Sequence, residues 1–396
     1  MRHFWQIGPA VAALVFVSAI PSQTVGPVEK DGRYWTQSRS GTVAAGARLR
    51  VSAIGSLNVK GAEVDQVNYR VVLKTRATDE REATLHFDQS ALTVVERGGT
   101  VTLSLQDPAC GRCGFSSEIE LAVPYALEEA ILNTNAGSIN VQTIDGRVNA
   151  DTSAGSIQMD VVGGHVRAVT AGGSISLGRV GGDVRCETAG GSIKVDQAHG
   201  DAVLNTSGGE IRVGEIGGKL HAETAGGGIE AEKVGGEVIA GTSGGSIRIG
   251  DAGGEVSAET AGGHIEVSRA PQGVEAETAD GHIRLTDVAG KVYAASAIGN
   301  IQAYFISSAP MMDSFLETTA GSIIVWLPAD IEVVVDAMVD FARGANRIES
   351  DFDAIRVSRE RDSFGPGEVH ASGALNGGGP VLTIRNTSGR IEIRRR

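Results

Sequence analysis

Hydrophobic residues recur along the middle of the chain with a period of 18 residues. The marker is isoleucine, and each copy has glycine two positions before it and threonine, or once Ser296, five positions before it. A fixed period of this length is typical of stacked-repeat architectures. The ten isoleucines are Ile139, Ile157, Ile175, Ile193, Ile211, Ile229, Ile247, Ile265, Ile283 and Ile301.

Each repeat has two halves with alternating apolar positions. Ile175 and Leu177 share one face of a strand, and Val184, Cys186 and Thr188 share one face of the next strand. Glycines separate the halves where tight turns are needed. The pattern predicts an all-β, single-stranded β-helix (β-solenoid) with 18 residues per coil, in which the ten isoleucines form a core ladder. With strands about 4.8 Å apart, nine intervals span roughly 43 Å.

Irregular segments flank the regular repeats. They alternate apolar and polar residues as strands do, so we expect capping coils, because solenoids need atypical end units. The repeat is also interrupted once, since Ile323 follows Ile301 by 22 residues rather than 18. The predicted organisation is an N-terminal irregular β region and cap over 41–130, regular coils over 131–304, a loop insertion over 305–322, and C-terminal irregular coils and cap over 323–396.

The first residues have the pattern of a secretory signal peptide. An apolar stretch follows Arg2, and the small residues of Val17-Ser18-Ala19 suit cleavage after Ala19. The alternative is a retained membrane anchor, but the apolar stretch is shorter than the ~20 residues that span a bilayer. We expect a signal peptide over 1–19, a linker over 20–40, and a mature chain with no transmembrane segment, exported to the periplasm or the cell surface.

The charge excludes one class of partner. With 35 Lys and Arg against 48 Asp and Glu, the formal charge is −13. Nucleic-acid binding needs a basic stripe that neutralises phosphates, so we expect no nucleic-acid partner. The chain has 55 glycines but only 10 prolines and 4% aromatic residues, which fits a thin aliphatic core rather than a disordered chain.

The three cysteines have two different predicted roles. Cys110 and Cys113 form a single CxxC motif, which cannot by itself fill a four-ligand zinc site. In an exported protein a loop-closing disulfide is the favoured interpretation. Cys186 replaces a small apolar residue of the repeat and is predicted to be a buried free thiol.

Two sets of outward residues are candidates for chemistry. Glu259 and Glu277 occupy the same position in neighbouring coils, about 5 Å apart by strand spacing, and such a carboxylate pair is found in retaining glycoside hydrolases. His264 and His282 are likewise adjacent and could hold a metal ion with a carboxylate. For both sets the alternative is a solvated face without a cleft, and we favour it. No catalytic, cofactor or metal-binding residue is therefore predicted.

The chain resembles the bacterial putative-adhesin domain family of exported β-helix proteins. The resemblance covers about residues 41–396 and is carried by RLRVSAIGSLNVKG, EIELAVP, the Gly-Ser-Ile coils and GALNGGGPVLTIRNTSGRIEI. It implies a right-handed β-helix, and no catalytic residues of the family are known to us. We expect a non-catalytic exported scaffold whose partners are surface glycans or envelope proteins. The alternative is a carbohydrate-active β-helix enzyme, a polysaccharide hydrolase or lyase, that uses outward carboxylates.

Overall fold

The computed structural model describes residues 23–108, 110, 113–342, 347–360 and 367–396. The predicted signal peptide, 1–19, lies outside the described residues. The described chain is almost entirely β-structure with a single helix. The prediction of an all-β repeat fold is confirmed, and the chain is a β-solenoid.

The N-terminal block contains eight strands and the helix. Its strands are β1 (Thr24–Asp31), β2 (Tyr34–Ala44), β3 (Arg48–Ala53), β4 (Gly55–Ala62), β5 (Gln66–Thr75), β6 (Leu92–Arg97), β7 (Thr100–Leu105) and β8 (Ser116–Pro124), and its helix is α1 (Glu80–Gln89).

The regular stack contains 22 short strands. They are β9 (Glu129–Thr134), β10 (Ile139–Gln142), β11 (Arg147–Thr152), β12 (Ile157–Val162), β13 (Val166–Thr170), β14 (Ile175–Val180), β15 (Val184–Thr188), β16 (Ile193–Ala198), β17 (Ala202–Thr206), β18 (Ile211–Ile216), β19 (Leu220–Thr224), β20 (Ile229–Val234), β21 (Val238–Thr242), β22 (Ile247–Ala252), β23 (Val256–Thr260), β24 (Ile265–Arg269), β25 (Gly273–Asp280), β26 (Ile283–Val288), β27 (Lys291–Ile298), β28 (Ile301–Phe305), β29 (Ser314–Ala320) and β30 (Ile323–Leu327).

The C-terminal block contains six strands. They are β31 (Val333–Ala342), β32 (Ile348–Ser350), β33 (Arg356–Glu360), β34 (Gly367–Leu375), β35 (Val381–Asn386) and β36 (Ile391–Arg395).

Two long sheets run along the solenoid. Sheet A contains the even-numbered strands from β10 to β30, and sheet B contains the odd-numbered strands from β9 to β29; in each, neighbours pair in parallel. Ile175 pairs with Ile193, and Val184 pairs with Ala202, in both cases the residue 18 positions further along. The inward residues of both sheets belong to one hydrophobic cluster, and the ten isoleucines are at most 1% exposed.

The chain order and the spatial order differ at both ends. β3 and β4 pair directly with β9 and β10, while β7 and β8 lie on their outer side. At the other end, β35 lies between β29 and β31, and β36 lies between β30 and β32. Three of the four ends of the stacks carry antiparallel pairs, such as β5 with β8 and β31 with β34, which cover strand edges that would otherwise template association. The C-terminal end of sheet A is the parallel pair of β36 and β32.

Helix α1 is a correction to the sequence-based prediction, which expected only strands over 41–130. Asp79 caps its first turn by accepting from the backbone N–H of Glu82 at 2.9 Å. Arg39 of β2 binds the carbonyl oxygens at its C-terminus, with 2.8 Å to the oxygen of Ser90. Phe87 is fully buried, so the helix anchors the N-terminal cap through one large side chain.

Two other expected segments also differ. Residues 20–40 were predicted as a linker, but β1 and β2 form an antiparallel hairpin from Thr24 onward, and β2 continues into pairing with β5. The loop expected over 305–322 is confined to 306–313, because Phe305 ends β28 and Ser314 begins β29. The hairpin is held by its strand pairing and buries only Gln37 and Val43 of β2, whereas β29 buries Ser314, Leu316 and Thr318 in alternation.

Candidate functional site

A long groove runs along the outward side of sheet B. Two adjoining shallow depressions of about 1040 and 560 Å³, both open to solvent, form it, and they share Thr242, Ser243 and Glu259. Its floor is low because small residues, Ala or Ser, follow each buried threonine of the repeat. We define the acidic groove by the glutamates that line it, Glu187, Glu223, Glu259, Glu277 and Glu317.

The predicted carboxylate pair lies in this groove. Glu259 and Glu277 are directly paired in the register of β23 and β25, both with exposed side chains. The sequence analysis expected an open, solvated face here, and the groove that the structure shows is shallow and open to solvent. It arises because threonine and alanine fill the turn between sheets B and A, where larger side chains would have levelled the surface.

The charge of the acidic groove changes along its length. In its N-terminal half, Arg185 lies 2.5 Å from Glu187, and His221 lies 3.0 Å from Glu223. In its C-terminal half the position two residues before Glu277 is Glu275 instead of a base. Within the described ranges, Glu259, Glu275, Glu277 and Glu317 have no basic side chain within 4.0 Å. The C-terminal half therefore concentrates negative charge.

An aromatic pair adjoins this acidic half. The rings of Tyr293 and Phe315 stack with centroids 5.8 Å apart and planes 14° apart. Burial raises the pKa of the Tyr293 hydroxyl, and the charges of Glu277 and Glu317 raise it further. Apolar ring faces beside carboxylates are a combination that can contact the C–H faces and the hydroxyl groups of one ligand together.

The predicted histidine pair has a structural role in the same turn between sheets B and A, directly before the strands of sheet A. The imidazoles of His264 and His282 stack with centroids 5.0 Å apart. Nδ1 of His264 accepts from the backbone N–H of His282 at 2.9 Å, and Nδ1 of His282 accepts from Asn300 in the same way. The neighbouring carboxylate, Glu266, pairs with Arg248 at 3.1 Å. These contacts occupy the Nδ1 lone pairs of both histidines and the carboxylate of Glu266, which are the groups that a metal ion at this place would need.

The cysteines lie apart from the groove. Cys110 and Cys113 are joined by a disulfide between β7 and β8, and Cys186 is a fully buried free thiol. Burial raises the pKa of Cys186 far above its usual range. The structure also places His86 of α1 beside the disulfide, a neighbour that the sequence pattern did not indicate.

Comparison with known proteins gives a family and several solved structures. The family model described as Toastrack DUF4097 matches residues 60–259, which is 200 of the 396 residues. A search of curated proteins found no match. Among the described residues, no helix combines the length and the apolar character needed to cross a membrane.

Three of the similar structures come from three bacterial species. A putative adhesin from Parabacteroides merdae ATCC 43184 is 11% identical with a TM-score of 0.30, covering 74% of this chain and 97% of its own. A putative cell adhesion protein from Clostridium sporogenes ATCC 15579 is 8% identical with a TM-score of 0.19, covering 95% and 100%. A putative lipid binding protein from Parabacteroides distasonis ATCC 8503 is 13% identical with a TM-score of 0.25, covering 74% and 97%.

Proposed function

Because the chain belongs to the Toastrack DUF4097 family, we propose that it is a non-catalytic, exported β-solenoid scaffold with an adhesin-like role in the cell envelope. We take its coils to have 18 residues each, as the period of the sequence predicts, and to be right-handed, as the sequence resemblance implies. Its partners are surface glycans or envelope proteins, and we favour an extended glycan lying along the acidic groove.

The observation that carries this proposal is the periodic lining of the groove. Glu187, Glu223 and Glu259 stand two coils apart from one another, which is about 10 Å by strand spacing. This spacing is close to the disaccharide period of an extended β-1,4-linked glycan. A repeated lining suits a polymer that is contacted many times, whereas a catalytic site is a local exception.

The negative charge of the acidic groove restricts the chemical class of glycan that can bind there. Acidic polymers would be repelled by the carboxylates and by the formal charge of −13. Neutral or amine-bearing glycans fit, because carboxylates accept hydrogen bonds from hydroxyl and ammonium groups. The stacked rings of Tyr293 and Phe315 offer an apolar surface to a sugar ring at the acidic end.

Binding is tested with purified mature protein and insoluble β-1,4-linked polysaccharides, of which one is neutral and one carries free amines. We expect co-sedimentation that weakens at least tenfold in the triple variant E259Q/E277Q/E317Q. The matched control is D160N/D196N/E232Q, which removes three exposed carboxylates from sheet A. Equal loss in both triple variants, or no binding to either polysaccharide, would contradict the proposed ligand.

Absence of catalysis is tested in the same mixtures by measuring new reducing ends and unsaturated sugars. We expect none above background. Product formation that E259Q/E277Q abolishes would replace the scaffold proposal with the carbohydrate-active enzyme.

Location is tested by protease treatment of intact and lysed cells, with a cleavage site placed in the loop of residues 306–313. Cleavage in intact cells supports display at the surface. Protection in intact cells with cleavage after lysis places the protein inside the envelope, and an adhesive role is then excluded.

A further inference from the structure

Three side chains with metal-binding groups meet in the N-terminal cap. His86 is in the last turn of α1, and Cys110 and Cys113 lie in the segment between β7 and β8. One imidazole nitrogen and the two sulfur atoms all lie within 4.8 Å of one another. Among the described residues this is the only group of three or more histidine, cysteine or acidic side chains that meets this criterion.

The hydroxyl of Thr75 is a hydrogen-bond partner for the imidazole of His86. Thr75 is fully buried, and its hydroxyl lies 3.0 Å from Nδ1 of His86 and 3.4 Å from the carbonyl oxygen of Cys113. When the hydroxyl proton is donated to this carbonyl oxygen, Oγ1 can accept from Nδ1–H of the imidazole. The lone pair of Nε2 is then left for another partner, which is the arrangement that metal-ligating histidines have.

The cysteine segment is held in place independently of the disulfide. The carbonyl oxygen of Cys113 also accepts from the backbone N–H of Arg76 at 2.7 Å, and the N–H of Cys110 donates to the carbonyl oxygen of Pro108 at 2.6 Å. Arg76 is in turn fixed by its guanidinium, which donates to the hydroxyl of Tyr34 at 3.0 Å. Reduction of the disulfide would leave these contacts intact and the two sulfurs beside His86.

We propose that in its dithiol state the cluster of His86, Cys110 and Cys113 binds one thiophilic cation, Zn²⁺ or Cu⁺. The disulfide first takes two electrons and two protons from an external dithiol, which becomes a disulfide. The cation then binds both sulfurs as thiolates and releases their two protons, while Nε2 of neutral His86 is the third ligand. For tetrahedral zinc, with Zn–S of about 2.3 Å and Zn–N of about 2.0 Å, ligand atoms are about 3.5 to 3.8 Å apart, so a small adjustment of the segment suffices.

Three protein ligands leave a fourth position of a zinc ion open to water or to an external ligand. The sequence alone argued against a metal here because CxxC supplies two ligands. The third ligand comes from α1, which packs against this segment only in the folded chain. The site is separate from the acidic groove, so its test is independent of the proposed function.

The experiment uses the mature chain after reduction with a dithiol, which is then removed without oxygen. Co²⁺ serves as the spectroscopic probe, Zn²⁺ is titrated in competition with a chromophoric chelator, and Cu⁺ is titrated separately. We expect one equivalent of Co²⁺ with thiolate charge-transfer and tetrahedral absorption bands, displaced by Zn²⁺ or by Cu⁺. The cation displacing it at the lower concentration identifies the preferred metal. The oxidised protein should bind none.

Variants separate ligation from folding. C110S and C113S change half-buried side chains and should each weaken Zn²⁺ binding at least a hundredfold, while C186S should bind like the unchanged protein. The affinity for Zn²⁺ should fall at least tenfold in H86N and by a smaller factor in T75V. Because H86N removes a buried side chain, circular dichroism of each variant without metal checks that it folds. Failure of C186S to bind one equivalent, or full binding by a folded H86N, would overturn the proposed site.

Discussion

The hydroxyl of Thr224 donates a hydrogen bond to the carbonyl oxygen of Gly209, 15 residues earlier in the chain, at 2.8 Å. The hydroxyl oxygen Oγ1 of Thr224 also accepts from the backbone N–H of Gly227 at 3.2 Å. Thr224 thus connects the turn of one coil to the turn of the previous coil and satisfies two backbone groups near the core. Threonine at the same place repeats this link in nearly every regular coil.

Replacement of Thr224 by valine should destabilise the solenoid. The side chain keeps its shape, but the carbonyl of Gly209 and the N–H of Gly227 both lose their partner, which costs about 1–3 kcal/mol for a buried unsatisfied group. The measurement is the midpoint of urea unfolding by circular dichroism, with T224S, which retains the hydroxyl, as the control. A T224V midpoint equal to that of T224S would contradict the role assigned to this hydroxyl.

Two adjacent glycines should respond differently to alanine. A Cβ at Gly209 would overlap the carbonyl group of Gly191 in the previous coil, whereas a Cβ at Gly208 would meet its nearest atoms at 3.6 Å. We expect the free energy of unfolding to fall by about 1–3 kcal/mol in G209A, because of overpacking. In G208A it should be unchanged or slightly higher. Thermal unfolding of the two single variants is the comparison, and equal melting temperatures would show that the coils can separate to admit a methyl group.

The histidine tautomers should differ between two places in the fold. His264 and His282 accept backbone N–H groups at Nδ1, so their neutral rings should carry the proton on Nε2. The metal site proposed above needs the lone pair of His86 on Nε2, so the proton of this ring should be on Nδ1, where Thr75 can accept it. Long-range ¹H–¹⁵N NMR spectra at alkaline pH distinguish the two forms, and the signal missing from H86N assigns His86. A proton on Nδ1 of His264 would rule out the acceptor role.

An ion cluster in the C-terminal cap should give a defined pH dependence. Burial works to raise the pKa of Asp336, but hydrogen bonds from Arg385 and His370, each 2.6 Å long, and their charges outweigh it, so the pKa is lowered. A lowered pKa contributes stability above the unfolded value of about 3.9, and this contribution is lost as pH falls through the folded value.

The variant D336N should therefore be less stable than the unchanged protein at pH 7, and the difference should shrink below about pH 4. Urea unfolding at several pH values between 7 and 2 measures this difference in the free energy of unfolding. D353N, at an exposed position of the same block, is the control. A difference between D336N and the unchanged protein that stays constant over this range would mean that Asp336 does not act through its charge.

The free thiol of Cys186 should be inert in the folded protein. It is fully buried, and burial followed by the charge of Glu187 raises its pKa, so little thiolate is available to react. Mass spectrometry after maleimide treatment of the oxidised protein should find no label in native buffer and one label in guanidinium. Rapid labelling in native buffer would mean that the coil around Cys186 opens readily.

Helix α1 is an element that the sequence could have indicated. Asp79 is a suitable N-cap, and Ala83 and Phe87 are spaced four residues apart on one helix face. Alternation of apolar and polar residues, the signal that predicts the flanking strands, does not predict this helical segment. The hairpin of β1 and β2 had a weaker signal, since many of its side chains are polar and only partly buried.

The sequence by itself determined the stack. A period of 18 with isoleucine, glycine and threonine at fixed places specifies which side chains face the core. It also specifies the turn positions that require glycine, because successive coils approach each other too closely there for a Cβ atom. Only the tertiary structure decided what lies between distant segments. It placed β3 and β4 beside β9 and β10, turned a row of glutamates into the wall of a groove, and brought His86 to Cys110 and Cys113. These contacts join residues without a common period, so no local pattern along the chain encodes them.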